Sequence, residues 1–598
     1  MKIIKKTGII LVLLSLTLLV SLLITGHYQL NRRIIDSTDM TEDQKVAFDL
    51  SASHMIGKTY QSKINFLDEL NESFDKANDL ISGTYRVSQK EIDRLAAMFR
   101  DQQEIQYVTD SVAGLYAKQN RLNSSKIKGI KDYTGWMQDR TYTDFENFKQ
   151  QLTESVEKYN NSLLQSQGFT GHKIKSLKFR MIKASYLGWA ESFPLIMLLL
   201  TFGLLSLGTL MYVLPKFRQG EPGIKNDNLN KNSLTARGWS GILVGILLIT
   251  FYVLLYWFAY WIAEWAVLLD PLSQWITGRP ADQWFFYGFV YTWSILFPGI
   301  HFLTKYRHSR LHQVRTYSVM FFQLVFAFTL PMLLYVLNLP EVDLKNIWPL
   351  NYNFFFEWKI DEYLEAGTLG LFLFGWGIAL IIPGVPLLTY FLGKRWYCSW
   401  VCGCGGLAET AGDPFRHLSD KRLVAWRIER ILVHSVLVFA VVMTGWVLYT
   451  FFTGKNTLLG VDSFKMRQVY GFLIGAMFAG VAGVGFYPFF GSRVWCRFGC
   501  PLAAYLGIVQ RFKSRFRITT NGGQCMSCGN CSTYCEMGID VRAYAQKGQN
   551  IIRASCVGCG VCASVCPRGV LRLENKKEKG RFNKPVLLGN DGYLNNRK

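Results

Sequence analysis

Residues Cys525–Cys535 read CMSCGNCSTYC, and residues Cys556–Pro567 read CVGCGVCASVCP. Each run spaces four thiols as C-x2-C-x2-C-x3-C, so this part of the chain must fold around two thiol groups rather than around an apolar core alone. Outward from there, all 13 cysteines lie between Cys398 and Cys566, and more than half the chain passes without one. That upstream part is dominated by apolar runs. Half of the 598 residues are hydrophobic, 15% are aromatic and the mean hydropathy is +0.13, a composition that points to a membrane protein.

A bilayer-spanning helix needs roughly 20 apolar residues. Eight such runs are expected, near residues 8–26, 192–214, 239–268, 284–304, 316–338, 367–392, 431–453 and 469–490. The net charge of +23 gathers in alternate loops: MKIIKK at the N-terminus, 216–237, KYRHSRLHQVR and 394–430. Cytoplasmic loops retain Lys and Arg, so these four are expected inside, and nucleic acid is not an expected partner. An even number of spans puts both termini in the cytoplasm of a bacterial inner membrane protein. The first run is long and lacks a small-residue cleavage site, which suits an uncleaved anchor. Residues 28–185 are then exported, with apolar residues at helical spacing in FLDELNESFDKANDLI and FENFKQQLTESVEKYNNSLL.

Thiols at the reducing face of a membrane are better read as metal ligands than as disulfides. The doubled run is the bacterial two-cluster ferredoxin pattern, in which three closely spaced thiolates hold one cubane and the fourth reaches across to the other. One [4Fe-4S] cluster is expected on Cys525, Cys528, Cys531 and Cys566, and a second on Cys556, Cys559, Cys562 and Cys535. Gly529 and Gly560 would relieve crowding beside the sulfurs. Zinc also takes C-x2-C pairs, but a ribbon needs two thiols per knuckle and leaves a doubled run of four unexplained. Cys535 is followed by Glu536 where Cys566 is followed by Pro567.

A second repeat precedes the first. GKRWYCSWVCG (Gly393–Gly403) aligns without gaps on GSRVWCRFGCP (Gly491–Pro501), matching Arg395 with Arg493, Cys398 with Cys496 and Cys402 with Cys500. Each copy follows an apolar run. On a helix, positions i and i+4 share a side, so the two pairs are expected to offer four thiolates to one further metal or redox centre, with Cys404 as a spare thiol or alternative ligand. The preceding arginines would neutralise thiolate charge and suit an anionic lipid surface. The competing reading is that these cysteines pack as small hydrophobes.

Paired C-x3-C motifs after membrane runs, followed by a two-cluster ferredoxin run, resemble the polyferredoxin membrane proteins that include NapH, NosR and CcoG. The resemblance spans roughly residues 365–570; Gly403 stands where the motif usually carries Pro, and no flavin-attachment motif is seen in 28–185. It implies electron transfer between cytoplasmic clusters and a quinone pool or respiratory reductase. Two further readings stay open: reduction of a metal such as copper for a maturation partner, since soft thiolates suit Cu(I), and a membrane redox sensor.

Ionisable groups within apolar runs are functional suspects, here Glu264, His301 and His434. The histidines would serve a haem or a quinol, or lie at the interface bonded to backbone; Glu264 is equally well read as a solvated carboxylate. GVAGVG from Gly480 is read as close helix packing rather than phosphate binding. The expected fold is mainly α: an anchor (1–27), an exported helical domain (28–185), a polytopic membrane domain (186–510), an α+β ferredoxin module (511–573) and a basic tail (574–598).

Overall fold

The computed structural model describes residues 2–98, 104–105, 130, 132–137, 140–141, 144–219, 232–454, 457–458 and 460–575. The expected basic tail lies outside the described residues from 576 onward, as does most of the loop 216–237. Seven helices among the described residues are long and apolar enough to cross a bilayer: Ile3–Leu22, Pro194–Pro215, Trp239–Trp257, Arg310–Val336, Gly367–Leu392, Leu423–Thr453 and Ser463–Gly485. The remaining expected run, 284–304, is a continuous 23-residue helix, Gln283–Lys305. Its length suffices for a crossing at about 1.5 Å per residue. Trp284, Tyr287, Tyr291, Trp293 and His301 take the place of aliphatic residues there and lower its apolarity.

The chain divides into two compact units. The smaller comprises Leu18–Met197 and Trp257–Leu268. Its helices Glu42–Ser51, Lys63–Tyr85, Phe145–Ser166 and Gly171–Ser185 enclose Phe48, Phe66, Leu70, Phe74 and Phe169. A small antiparallel sheet pairs His27–Gln29 with Thr59–Tyr60 and with Tyr186–Leu187. The expected run 239–268 is interrupted: the helix ends at Trp257, and short turns Ala259–Ile262 and Ala263–Val267 follow. Glu264 therefore sits in this unit, and it is not a solvated carboxylate. It is fully buried, bonded by Lys63 Nζ at 2.7 Å and by the Tyr28 hydroxyl at 2.7 Å. A buried charge persists only with such partners.

The larger unit holds the other apolar helices and the C-terminal module. The glycines of GVAGVG do serve packing: a Cβ on Gly480 would meet the Tyr256 ring at 2.4 Å, and one on Gly485 would meet Ile249 at 2.6 Å. In the module, strand Arg517–Thr520 pairs antiparallel with Leu571–Glu574, Ile518 opposite Leu573. Short helices Asn530–Thr533, Val541–Gln546 and Val561–Ser564 complete it.

Candidate functional site

The thiol runs of the module fold as two copies of one turn-and-helix unit. Gly529 and Gly560 cap the helices that follow them with φ of +79° and +82°. A side chain rarely adopts that left-handed conformation, so glycine is required by the backbone. After the fourth cysteine of each run the chain turns the same way: Gly538 N–H donates to the Cys535 carbonyl and Gly569 N–H to that of Cys566, both at 3.1 Å. Glu536 in place of Pro thus leaves the turn intact.

The two copies enclose two cavities. One is lined by Cys525, Cys528, Cys531 and Cys566, and the other by Cys535, Cys556, Cys559 and Cys562. The structure therefore brings together the two crossed sets of four named by the spacing. Backbone N–H groups point at the sulfurs, that of Ile539 reaching Cys535 Sγ at 3.4 Å, with further bonds from Ser532 to Cys531 and from Gly558 to Cys556. Such bonds stabilise thiolate charge. Burial meanwhile pushes the Cys556 thiol up to about 11, and those of Cys531 and Cys559 up to about 12. These thiols ionise at neutral pH only against a bound cation.

The C-x3-C pairs lie beneath the module. Cys398, Cys402, Cys496 and Cys500 are all buried in one core with Cys404 beside them. The expected continuous helix through each pair is not formed. Cys398 ends the short helix Arg395–Cys398, while Cys402 is the extended residue that caps helix Gly403–Glu409. Cys496 lies in the wide turn Trp495–Gly499, and Cys500 likewise caps helix Pro501–Lys513. Pro501 drives this break, since proline favours an extended residue before it and the first position of a new helix. Gly403 holds the equivalent place, where a Cβ would meet Gln323 Oε1 at 2.7 Å. Gly393 and Gly491, at equivalent positions, share φ of +71° and +92°.

Burial pushes the Cys398 thiol up to about 12 and raises Cys496 and Cys500. A hydrogen bond with Cys404 instead holds Cys402 down at about 6. The two thiol sites are joined by a buried ion network that the sequence did not reveal. Arg493 donates to Cys496 Sγ at 3.6 Å and to the Cys398 carbonyl at 3.1 Å, and pairs with Glu409 at 2.6 Å and Glu536 at 3.1 Å. Arg416 reaches Cys559 Sγ at 3.9 Å, Asp413 at 3.1 Å and Glu536 at 3.4 Å. Arg315 pairs with Glu409 at 2.9 Å and donates to the Cys559 carbonyl, and Lys305 pairs with Asp413 at 2.5 Å. Burial works against the charge on Glu536, yet Arg416 and Arg493 outweigh it and hold the carboxyl below its ordinary value. Four cations face three carboxylates, a surplus of positive charge that suits anionic groups held by thiolates. Neutral bonds dock the module too: Ser419 Oγ donates to the Glu536 carbonyl at 2.6 Å, Ser399 Oγ to that of Val557 at 2.9 Å, and Gln510 Nε2 to that of Cys556 at 2.8 Å.

His434 Nδ1 lies 2.6 Å from the Arg430 carbonyl of its own helix, the backbone-bonded arrangement, and His301 sits near enough to Asp413 to stabilise its charge.

A 4Fe-4S binding domain model matches residues 374–422 and 472–519, the two halves of the C-x3-C repeat, and a 4Fe-4S dicluster domain model matches 517–567. YccM of Escherichia coli strain K12, which carries an electron-transport name, is 27% identical over 171 residues, 27% of this chain and 47% of that protein. Protein NirI of Paracoccus denitrificans strain Pd 1222 is 27% identical over 172 residues, 27% of this chain and 24% of NirI. The methylamine utilization ferredoxin-type protein MauN of the same organism is 28% identical over 200 residues, 30% of this chain and 62% of MauN. The chain spans less than half of the first two relatives and under two thirds of MauN. No solved structure matches the chain. Over the matched residues the chain is similar to 4Fe-4S binding domains and to ferredoxin-type proteins, in line with the resemblance that the cysteine spacing carries.

Proposed function

We propose that the protein moves electrons between two [4Fe-4S] clusters in the C-terminal module and a third centre at the C-x3-C pairs, serving a membrane or periplasmic redox partner such as a quinol pool or respiratory reductase. Cys525, Cys528, Cys531 and Cys566 would hold one cluster and Cys535, Cys556, Cys559 and Cys562 the other. Cys398, Cys402, Cys496 and Cys500 would hold the third centre. Bound there, iron-sulfur groups supply one-electron transfer without proton or bond chemistry on the protein. The observation that carries this reading is the continuous buried network from Cys559 through Arg416, Glu536 and Arg493 to Cys496.

The side chains have three tasks in this scheme. Arg416 and Arg493 compensate negative charge at the sulfurs they touch. Glu409, Asp413 and Glu536 hold those guanidiniums in place, because arginine cannot shed its proton to escape burial. Ser399, Ser419 and Gln510 fix the module on the membrane-side thiols, keeping the two sites at constant separation.

In this reading Gln283–Lys305 is the eighth crossing, and the basic loops support a cytoplasmic position for both termini and the module, with 28–185 outside. Iron and acid-labile sulfide measured on anaerobically purified protein test the assignment, together with EPR, before and after Cys398→Ser. More than eight irons per chain, falling toward eight in the variant, is the expected result. Eight irons unchanged by the substitution would remove the third centre.

The low-lying Cys402 thiol beside Cys404 favours a second reading, in which the C-x3-C thiols bind and reduce copper for a maturation partner. Cupric reduction lost in Cys398→Ser or Cys496→Ser, without any quinol oxidation, would select it.

A further inference from the structure

A cavity of about 710 Å³ lies in the larger unit, between the first turns of helix Leu423–Thr453 and helix Pro501–Lys513. The small side chains of Ala503, Ala504 and Gly507 keep the second helix back from the first and leave this room. Its wall carries Lys394, Arg427, Arg430, Arg497, Arg511 and Arg553, and its one carboxylate, Glu429, is already bonded by Arg497 Nε at 2.8 Å. Arg497 is 4% exposed, and its Nη2 is buried with no hydrogen-bond partner. Arg430 and Arg553 both stack on Trp426, at 5.1 and 4.9 Å from the ring centroid, so the ring holds the two guanidiniums at the cavity without neutralising them. No carboxylate among the described residues pairs with Arg427, Arg430, Arg511 or Arg553.

The cavity therefore favours an anion. Its surroundings say which kind, because Leu423, Val424, Ile428, Ile431 and Phe512 are all largely exposed on the same helix ends. Apolar side chains left uncovered at the start of a membrane-spanning helix face acyl chains, while basic pockets at that depth take phosphate headgroups. We propose that this cavity binds the headgroup of an anionic phospholipid, its phosphate diester paired with Arg497, Arg430 and Arg553 and its acyl chains lying along Ile431 and Phe512. Arg427, Arg430, Ile431 and His434 follow one another at helical spacing and present one continuous face to such a lipid.

The test uses full-length protein in a neutral detergent, titrated with fluorescent phosphatidylglycerol and with phosphatidylcholine carrying the same acyl chains. The variants are Arg430→Gln/Arg553→Gln and, separately, Arg497→Gln, with iron content and cluster absorbance as measures of folding. Saturable binding of phosphatidylglycerol is expected, weakened roughly tenfold or more in the double variant at unchanged iron content. The double variant alters the stacked arginines and leaves the Arg497–Glu429 pair alone, so it remains decisive if Arg497→Gln fails to fold. Equal binding of both lipids by wild type, or full phosphatidylglycerol affinity in the double variant, would overturn the proposal. Displacement of the lipid by equimolar inorganic phosphate would overturn the lipid as occupant and assign the cavity to a free anion.

Discussion

Replacing Glu536 with Gln removes one negative charge from the network while keeping its volume. The side chain is 1% exposed and lies 3.4 Å from Arg416, whose other terminal nitrogen is 3.9 Å from Cys559 Sγ. Those contacts and the width of a guanidinium place the carboxylate within about 10 Å of the sulfur; at an effective dielectric of about 20, one unit charge there is worth roughly 1.7 kcal/mol. An electron added to the group on Cys559 no longer meets that charge, so its midpoint potential rises by about 70 mV for a one-electron couple. Arg416 and Arg493 keep their protons, so the charge change is not absorbed elsewhere. Potentiometric EPR on wild type and Glu536→Gln, both with full iron content, measures the shift. No shift, or a shift downward, would refute the argument that this network sets the potential of the site. A smaller upward shift is expected in any signal that depends on Cys525, because Glu536 touches the other four-cysteine cavity.

Gly405→Ala should cost on the order of 1–3 kcal/mol and empty the membrane-side thiol site, since the new Cβ would come within 2.0 Å of the Cys398 carbonyl oxygen; thermal melting and iron content together check it. Lys63→Met alone should destabilise the smaller unit by roughly 3–5 kcal/mol by stranding Glu264, whereas Lys63→Met/Glu264→Leu should recover most of that loss in a denaturant melt. Cluster-free protein should show a pH dependence set by the buried thiols. Burial raises the Cys398, Cys531 and Cys559 thiols to about 12, so their contribution to stability is complete below the ordinary thiol value and declines as the pH climbs from there toward 12. Melting temperatures between neutral and alkaline pH should therefore fall in apo-protein and stay flatter in the loaded form. Adding a thiophilic cation to apo-protein at neutral pH should release protons, measurable in weak buffer.

The grouping of the thiols is legible in the sequence because it is local: three ligands a few residues apart share one turn, and repeating the run names the partner of the fourth. Apolar runs are equally local, and seven of the eight expected ones form helices apolar enough to span. The exceptions have physical causes. Aromatic residues can line a helix of full length and still dilute its apolarity, as in Gln283–Lys305, and Pro501 breaks the helix expected through Cys496 and Cys500. Spacing alone also leaves open whether Glu264 is solvated.

The spacing of the chain is thus enough to sort eight thiols into two sets of four behind a series of apolar helices, and each set lines one cavity, since bond reach and bilayer thickness act over short stretches of chain. Packing alone brings Arg315, Glu409, Arg416, Arg493 and Glu536, from separate segments, together as one buried network, with Glu536 standing where the other run has a proline. Charges far apart in the chain leave no periodic trace; they become partners only when packing removes the water between them.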